Sequence, residues 1–270
     1  MGQDVIKNKP LVSVITVVFN GKNYLEQTIQ SVLSQTYDNI EYIVIDGGST
    51  DGTIEIVRKY KDKISYLISE PDNGIFDAMN KGASIATREY IYYLNAGDAF
   101  YSDNTLFDVV NHLNDNKVNT HTLLVGNVLL THNGKDLRFA PVVGTNLPHQ
   151  GAFVKTEMVK KYKFDSKLKI YGDSDLWYRM NMGGEFVPVY IPNTICKFPL
   201  DGVGSSPKFI WNRYLESKYL CNQRGQRLAI VRKFLLTLFG YTVYKIGGEF
   251  AYRHVYEATI NFFIKIKRCS

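Results

Sequence analysis

The sequence predicts an α/β fold: a mostly parallel sheet flanked by helices, with a helical segment at the C-terminal end. Three observations predict it. Residues 11–19, LVSVITVVF, are an almost unbroken apolar, β-branched run, the pattern of a strand buried on both faces. Strand-like and helix-like segments then alternate as far as residue 98, at a spacing that suits βαβ units. Beyond residue 207 the chain becomes basic, aromatic and helical in pattern.

Each element follows in turn. Asn20-Gly21 turns the chain after the first strand, and Tyr24, Leu25, Thr28, Ile29, Val32 and Leu33 recur at helical spacing. Residues 40–45, IEYIVI, read as a second buried strand that ends at Asp46. Gly47 and Gly48 break it, and Ser49 or Thr50 is expected to cap a helix running to about Tyr60. A short third strand at 64–68, a helix at 74–87 and a fourth strand at 90–94 lead to Asn95-Ala96-Gly97-Asp98. The alternation then weakens. A helix is expected at 104–114, a strand at 122–130, a loop from Pro141 to Pro148, a helix at 173–182 and a strand at 186–191. The stretch 199–207, PLDGVGSSP, marks a break between residues 1–200 and residues 201–270.

The chain has 270 residues, 45% of them hydrophobic and 21% charged, enough to bury a core. The net charge of +6 is uneven: residues 208–270 carry 12 Lys plus Arg against 3 Glu, and the rest carries 20 basic and 23 acidic groups. A near-neutral body with a basic tail implies different partners along the chain. Three cysteines, Cys196, Cys221 and Cys269, lack metal-type spacing and point to a reducing compartment. The N-terminal MGQDVIKNKP has no apolar stretch, so no signal peptide is expected. The longest charge-free apolar run of the tail, Phe234 to Tyr244, has 11 residues, against the about 20 that a bilayer span needs. Such a segment can lie on a membrane but not cross it alone.

In parallel sheets ligands bind beyond the carboxyl ends of the strands, so Asn20, Asp46 and Asn95–Asp98 should cluster at one edge. Asp46, followed by two glycines, suits a nucleobase or ribose; equally, Ser49-Thr50-Asp51-Gly52 reads as a turn and helix cap. Asn95–Asp98 reads either as a turn or as a divalent-cation site with a thin ligand set, which a phosphate-bearing ligand would complete. Asp173 and Asp175 fall at a helix start, where the macrodipole favours the ionised carboxylate that a general base requires. His149-Gln150 follows Pro148 in a loop. No G-x-G-x-x-G follows the first strand, where the chain reads Phe19-Asn20-Gly21-Lys22-Asn23, so a dinucleotide-dependent oxidoreductase is set aside. No DNA- or RNA-binding motif appears, and nucleic acid is not an expected partner.

Four stretches, read together and in order, resemble the family-2 inverting glycosyltransferases of bacterial surface-polysaccharide type, with the GT-A fold. They are PLVSVITVVFNGKNYLEQTIQSVLSQTY (10–37), EYIVIDGGSTDGT (41–53), SEPDNGIFDAMNKGASIATREYIYYLNAGD (69–98) and YGDSDLWYRM (171–180). The resemblance spans roughly residues 10–190. It implies that Asp46 contacts the base or ribose of a nucleotide sugar, UDP-linked by family habit, and that Phe19 flanks the base. Asp77, Asn80, Lys81 and Asn95 would line the donor. Asp98 would bind the diphosphate through Mn²⁺ or Mg²⁺, with His149 as a further candidate ligand. Asp173 falls on the base position, with His149, Gln150, Asp175 and Trp177 as acceptor-side candidates.

The sequence departs from the family at three points. The usual Asp-Asp-Gly-Ser reads Asp46-Gly47-Gly48-Ser49. The metal motif has Asn95 and Gly97 where acids are usual. Gly172 precedes Asp173 where Glu is usual. The implied activity is inverting transfer of a sugar to a lipid-linked oligosaccharide or polysaccharide precursor. It would take place in the cytoplasm, at the inner face of the membrane, reached through the basic tail; that tail reads equally as helices packed with a solvated charged face. The competing reading is a non-catalytic sugar-nucleotide-binding or scaffolding protein, for which the thinned metal motif is the best argument.

Overall fold

The computed structural model describes residues 12–113, 122–132, 135–139, 147–200 and 206–268. Residues 201–205 of the expected break, most of the expected 141–148 loop, Cys269 and the N-terminal stretch lie outside the described residues. The chain divides into two compact units, Met1–Pro199 and Leu200–Ser270.

The first unit runs β1 (Val12–Val18), α1 (Leu25–Leu33), β2 (Ile40–Asp46), α2 (Thr53–Lys59), β3 (Tyr66–Ser69), α3 (Ile75–Ile85), β4 (Tyr90–Tyr93) and β5 (Ala99–Phe100). It continues with α4 (Thr105–Leu113), β6 (Leu123–His132), β7 (Lys135–Phe139), β8 (Ala152–Lys155), α5 (Thr156–Tyr162), α6 (Gly172–Met182) and β9 (Pro188–Pro199). The strands form one sheet in the order β3-β2-β1-β4-β8-β6-β9-β5, with β7 beside β6. The first four pair in parallel, with Val18 opposite Asp46 and Ile15 opposite Tyr93. β8 joins β4 antiparallel, so the sheet is mixed beyond the βαβ units.

Both faces of the parallel half are covered, which is why β1 and β2 read as continuous apolar runs. Side chains alternate across the sheet. Val12, Val14 and Val18 share a core with Val44, Tyr92 and with Leu25, Ile29, Val109 and Val110 of α1 and α4. On the opposite face, a Cβ on Gly82 would lie 2.6 Å from Ile15, so the glycine lets α3 sit directly on β1.

The structure corrects several local expectations. Ser49 and Thr50 do not cap α2, whose N-cap is Gly52 with φ +97. Ser49 Oγ instead accepts from the Asn20 amide, and the Thr50 amide donates to Asn20 Oδ1, which ties the end of β1 to the end of β2. Asp51 does serve the first turn, accepting from the Thr53 amide. The strand expected at 186–191 runs on to Pro199, because a bulge opposite Val125–Val128 absorbs Pro192 and Asn193. Strands β5, β7 and β8 and helix α5 went unread.

The second unit holds α7 (Ile210–Gln223) and α8 (Arg227–Arg268), the latter bent at Gly248, whose φ is +69. The two helices pack through aromatic pairs, Trp211 with Tyr241 and Tyr214 with Phe234, each at 5.5 Å between ring centroids. Arg213 donates to the Tyr252 hydroxyl at 2.6 Å.

Candidate active site

Parallel pairing brings the ends of β1, β2 and β4 to one edge, and the Asn95–Asp98 turn is built on it. Leu94 and Ala96 amides donate to Ile15 and Val17 carbonyls, which extends the β4–β1 ladder past the end of β4. The buried hydroxyl of Thr28, on α1, then clamps the turn, donating to the Asp98 carbonyl at 2.7 Å and accepting from the Gly97 amide at 3.0 Å. Gly97 adopts φ +102, which favours glycine and accounts for it where an acid is usual.

The Asp98 carboxyl is buried. Burial pushes its pKa up to about 7, against the opposing pull of His149, a hydrogen bond from the Gln150 side chain and the Asn95 backbone. Asp98 Oδ2 and Asn95 Oδ1 have no hydrogen-bond partner among the described residues. Two orphaned buried oxygens in one turn fit a hard divalent cation, which takes oxygen ligands. Among the described residues no group of three or more His, Cys, Asp or Glu could hold a metal. The residues therefore fit a cation shared with a phosphate-bearing ligand rather than one held by protein alone.

His149 links this turn to Asp173. Its Nε2 lies 3.0 Å from Asn95 Nδ2 and its Nδ1 lies 3.4 Å from Asp173 Oδ2. With the Asn95 amide donating to Nε2, the ring proton sits on Nδ1 and points at the Asp173 carboxylate. Both nitrogens are then engaged, and the ring stands as a bridge rather than as a free metal ligand. Asp173, in the first turn of α6, also accepts from the Ser174 amide at 2.7 Å.

Gly172 has its own reason. A Cβ there would lie 2.6 Å from the ring of Phe76, which stacks on Phe164 at 5.3 Å. The aromatic pair fills the space in which a glutamate would start.

The other expected residues are placed as follows. Phe19 is 64% exposed at the end of β1. Asp46 is fully buried, and its carboxylate accepts from the Ser69 hydroxyl and the Ser49 amide, so it shapes the turn and offers no exposed surface to a base. Asp77, in the first turn of α3, accepts from the Asn73 amide and so holds the loop that leads into the helix. Asn80 spends both amide atoms on the Phe164 backbone, each at 2.9 Å. Lys81 pairs with Glu70 at 2.8 Å and donates to the Pro71 carbonyl, fixing the loop after β3. Three acceptor-side candidates have structural occupations. Gln150 is buried against Asp98. Asp175 is buried and paired with Arg179 at 2.7 Å. Trp177 is buried and its indole N–H donates to the Leu147 carbonyl. Thr28 and Phe76 are positioning residues that local pattern does not reveal, since their partners lie far away in sequence.

The mostly parallel sheet flanked by helices, with the Asn95–Asp98 turn at its strand ends, has the architecture of a GT-A-type fold. Residues 13–178 match the model of Glycosyl transferase family 2, and the chain belongs to that family. It is 32% identical over 207 residues to an uncharacterised glycosyltransferase of Mycobacterium tuberculosis, covering 73% of this chain and 78% of that one. Among solved structures it resembles Staphylococcus aureus TarS in complex with UDP-GlcNAc, with TM-score 0.60, 18% identity and coverage of 78% of this chain and 67% of that one. Against the UDP complex of TarS it spans 65% of the solved chain. It also resembles the mannosyltransferase PcManGT from Pyrobaculum calidifontis in complex with GDP-Man and Mn²⁺, with TM-score 0.64, 16% identity and coverage of 98% and 81%.

Proposed function

We propose that the protein transfers a sugar from a nucleoside-diphosphate sugar to an acceptor hydroxyl, with inversion, and that the acceptor is a lipid-linked precursor of a surface polysaccharide. The observation that carries this reading is the His149 bridge, which joins the Asn95–Asp98 turn to Asp173. In this reading the turn meets the leaving diphosphate and Asp173 takes the proton.

Asp173 is the general base. It accepts the acceptor proton as the hydroxyl attacks the anomeric carbon from the face opposite the leaving diphosphate. One such displacement inverts the centre, and no second, nucleophilic carboxylate is needed. His149 holds the carboxylate in aim. Asp98 and Asn95 would hold Mn²⁺ or Mg²⁺ together with the diphosphate, and the cation would offset the charge that develops on the leaving group. TarS and PcManGT, solved with UDP-GlcNAc and with GDP-Man and Mn²⁺, are consistent with such a donor.

The second unit suits a membrane-surface role at the inner, cytoplasmic face. Among the described residues no helix is long and apolar enough to cross a membrane. On α8, Leu228, Val231, Leu235, Phe239 and Ile246 are exposed by 58–89%. At 100° per residue they lie on one face. Residues 227–246 include Arg227, Arg232, Lys233 and Lys245 and no acidic residue. An apolar stripe edged by cations matches an anionic interface.

Calorimetry with UDP, GDP and their sugar conjugates, with and without Mn²⁺, tests the donor reading. Metal-dependent binding that is lost in Asp98→Ala is expected. No binding of any nucleotide under any metal would leave a scaffolding protein of the same fold.

A further inference from the structure

Position 47 is where the family's second aspartate is absent. A Cβ on Gly47 would lie 2.3 Å from Oδ2 and 3.0 Å from Cγ of Asp72. The Asp72 carboxylate therefore occupies the space that a side chain at 47 would enter. Gly48 makes the same accommodation: its φ is +82, and a Cβ there would lie 3.2 Å from the Pro71 nitrogen. The two glycines together receive the 71–72 segment against the end of β2.

That segment is pinned from three sides. The Glu70 amide donates to the Asp46 carbonyl, and Ser69 Oγ to the Asp46 carboxylate. Lys81 grips Glu70 and the Pro71 carbonyl. Asp72 Oδ1 accepts from the Gly74 amide at 2.8 Å. The carboxylate is thus held in place with Oδ2 turned toward Gly47, whose amide bonds the Val18 carbonyl beside the exposed ring of Phe19. An aromatic face next to a fixed acceptor is what recognition of a nucleobase requires. Asp46, fully buried and already bonded, is not available for it.

We infer that Asp72 supplies the carboxylate that reads the donor base, from the loop after β3 and in the place left open at position 47. This rests on the nucleotide-sugar reading above and adds its selectivity. A carboxylate accepts hydrogen bonds only. It favours bases with a ring N–H on the pairing edge, N3–H of uracil or N1–H beside N2–H of guanine, over cytosine, whose pairing-edge donor is the exocyclic N4 amine next to a lone pair at N3. A half-buried acceptor that a bound base covers is left unpaired when the base lacks the matching donor, and that is how such a site rejects the wrong base.

The experiment is calorimetric titration of the full chain with UDP, GDP and CDP in the presence of Mn²⁺, on wild type, Asp72→Ala, Asp72→Asn and the double variant Gly47→Asp/Asp72→Ala. The wild type is expected to bind UDP or GDP in preference to CDP. Asp72→Ala should weaken that binding roughly 10- to 100-fold, the size of a lost hydrogen bond to a charged group. Asp72→Asn, which presents a donor, should narrow the gap to CDP. The double variant returns a carboxylate to position 47 with the clash removed, and should recover most of the affinity. A wild type that binds, with Asp72→Ala binding equally well or the same base order kept in every variant, overturns this inference alone. A wild type that binds no diphosphate overturns the donor reading and this inference with it.

Discussion

Nδ1 of His149 stands 3.4 Å from Oδ2 of Asp173, and the opposite nitrogen of the same ring stands 3.0 Å from the Asn95 amide. A single imidazole therefore joins Asp173, the proposed base, to the turn that carries Asp98. It acts through Asp173, as a positioning residue, and its loss should differ from loss of the base itself. His149→Ala should lower kcat about 10- to 100-fold, with a smaller effect on donor KM, because aim and not charge is lost. His149→Asn, which keeps a donor near Asp173, should recover part of the rate. Steady-state kinetics on both variants checks this, and an unchanged kcat in His149→Ala would remove the bridge from the mechanism.

Asp173→Asn keeps the shape of the site and removes the proton acceptor. Transfer should fall by about 10²–10⁴-fold, the usual worth of general-base catalysis. Nucleotide binding, measured by calorimetry, should be unchanged. Loss of donor binding in the same variant would mean that Asp173 builds the site rather than working in it.

The buried Asp98 gives the ligand-free protein a pH-dependent stability. Burial raises its folded pKa to about 7, above the about 3.9 of an unfolded chain. A raised carboxyl favours the folded state while it is protonated, so its contribution is intact below about pH 4 and is lost as pH rises through about 7. In chelator-containing buffer, stability should therefore fall between pH 5 and pH 8. Asp98→Asn should flatten that slope and gain roughly 2–4 kcal/mol at pH 8, since about three pKa units separate the two states. Denaturant melts across this range are the measurement, and an equal slope in both proteins would place Asp98 in a wetter setting than its burial indicates.

The Phe76 ring explains the glycine before Asp173, and a side chain at that position carries a cost. Gly172→Ala puts a methyl group 2.6 Å from the ring. Overpacking of this kind costs about 1–3 kcal/mol. Gly172→Glu, which restores the family's pattern, should destabilise at least as much and should not raise activity. Pairing Gly172→Ala with Phe76→Leu should return part of the stability, seen as a non-additive double-mutant cycle.

The parallel half of the sheet was legible because it is buried on both faces: β1 and β2 could only read as apolar runs. β8 was not, because four residues after a loop carry no alternation to read. β9 reads as ending before Pro192 because the bulge that accommodates the proline is fixed by its pairing with Val125–Val128 of β6, more than sixty residues earlier. Within the site, the sequence marked Asp98, Asp173 and His149 by type and setting. It could not show that Thr28 clamps the turn from 70 residues away, or that Asp72 fills the space at Gly47. Asp175 and Trp177 were drawn toward the acceptor by their nearness to Asp173, yet helical geometry turns both inward, onto Arg179 and Leu147. Local pattern reports which residues could do chemistry; contacts across the sheet decide which are free to do it.

The apolar stripe of α8 gives the last prediction. Leu228 to Ile246 spans 19 residues, about 27 Å of helix from first to last at about 1.5 Å per residue. Laid in the plane of an interface, that length would bury Leu228, Val231, Leu235, Phe239 and Ile246 together, at about 25 cal/mol per Å² of apolar surface removed from water. Arg227, Arg232 and Lys245, which flank the stripe, would add about 1 kcal/mol each near an anionic surface. The full-length protein should therefore sediment with vesicles containing anionic lipid and much less with neutral ones, and should be released by salt in part, since the apolar share is not screened. Leu235→Glu/Phe239→Glu should abolish sedimentation while leaving nucleotide binding intact. Arg227→Glu/Arg232→Glu should weaken it on anionic vesicles only. Equal recovery of wild type and the Leu235/Phe239 variant would show that the stripe does not meet lipid, and a concentration-dependent dimer that the same variant breaks would assign it to a second copy of the chain.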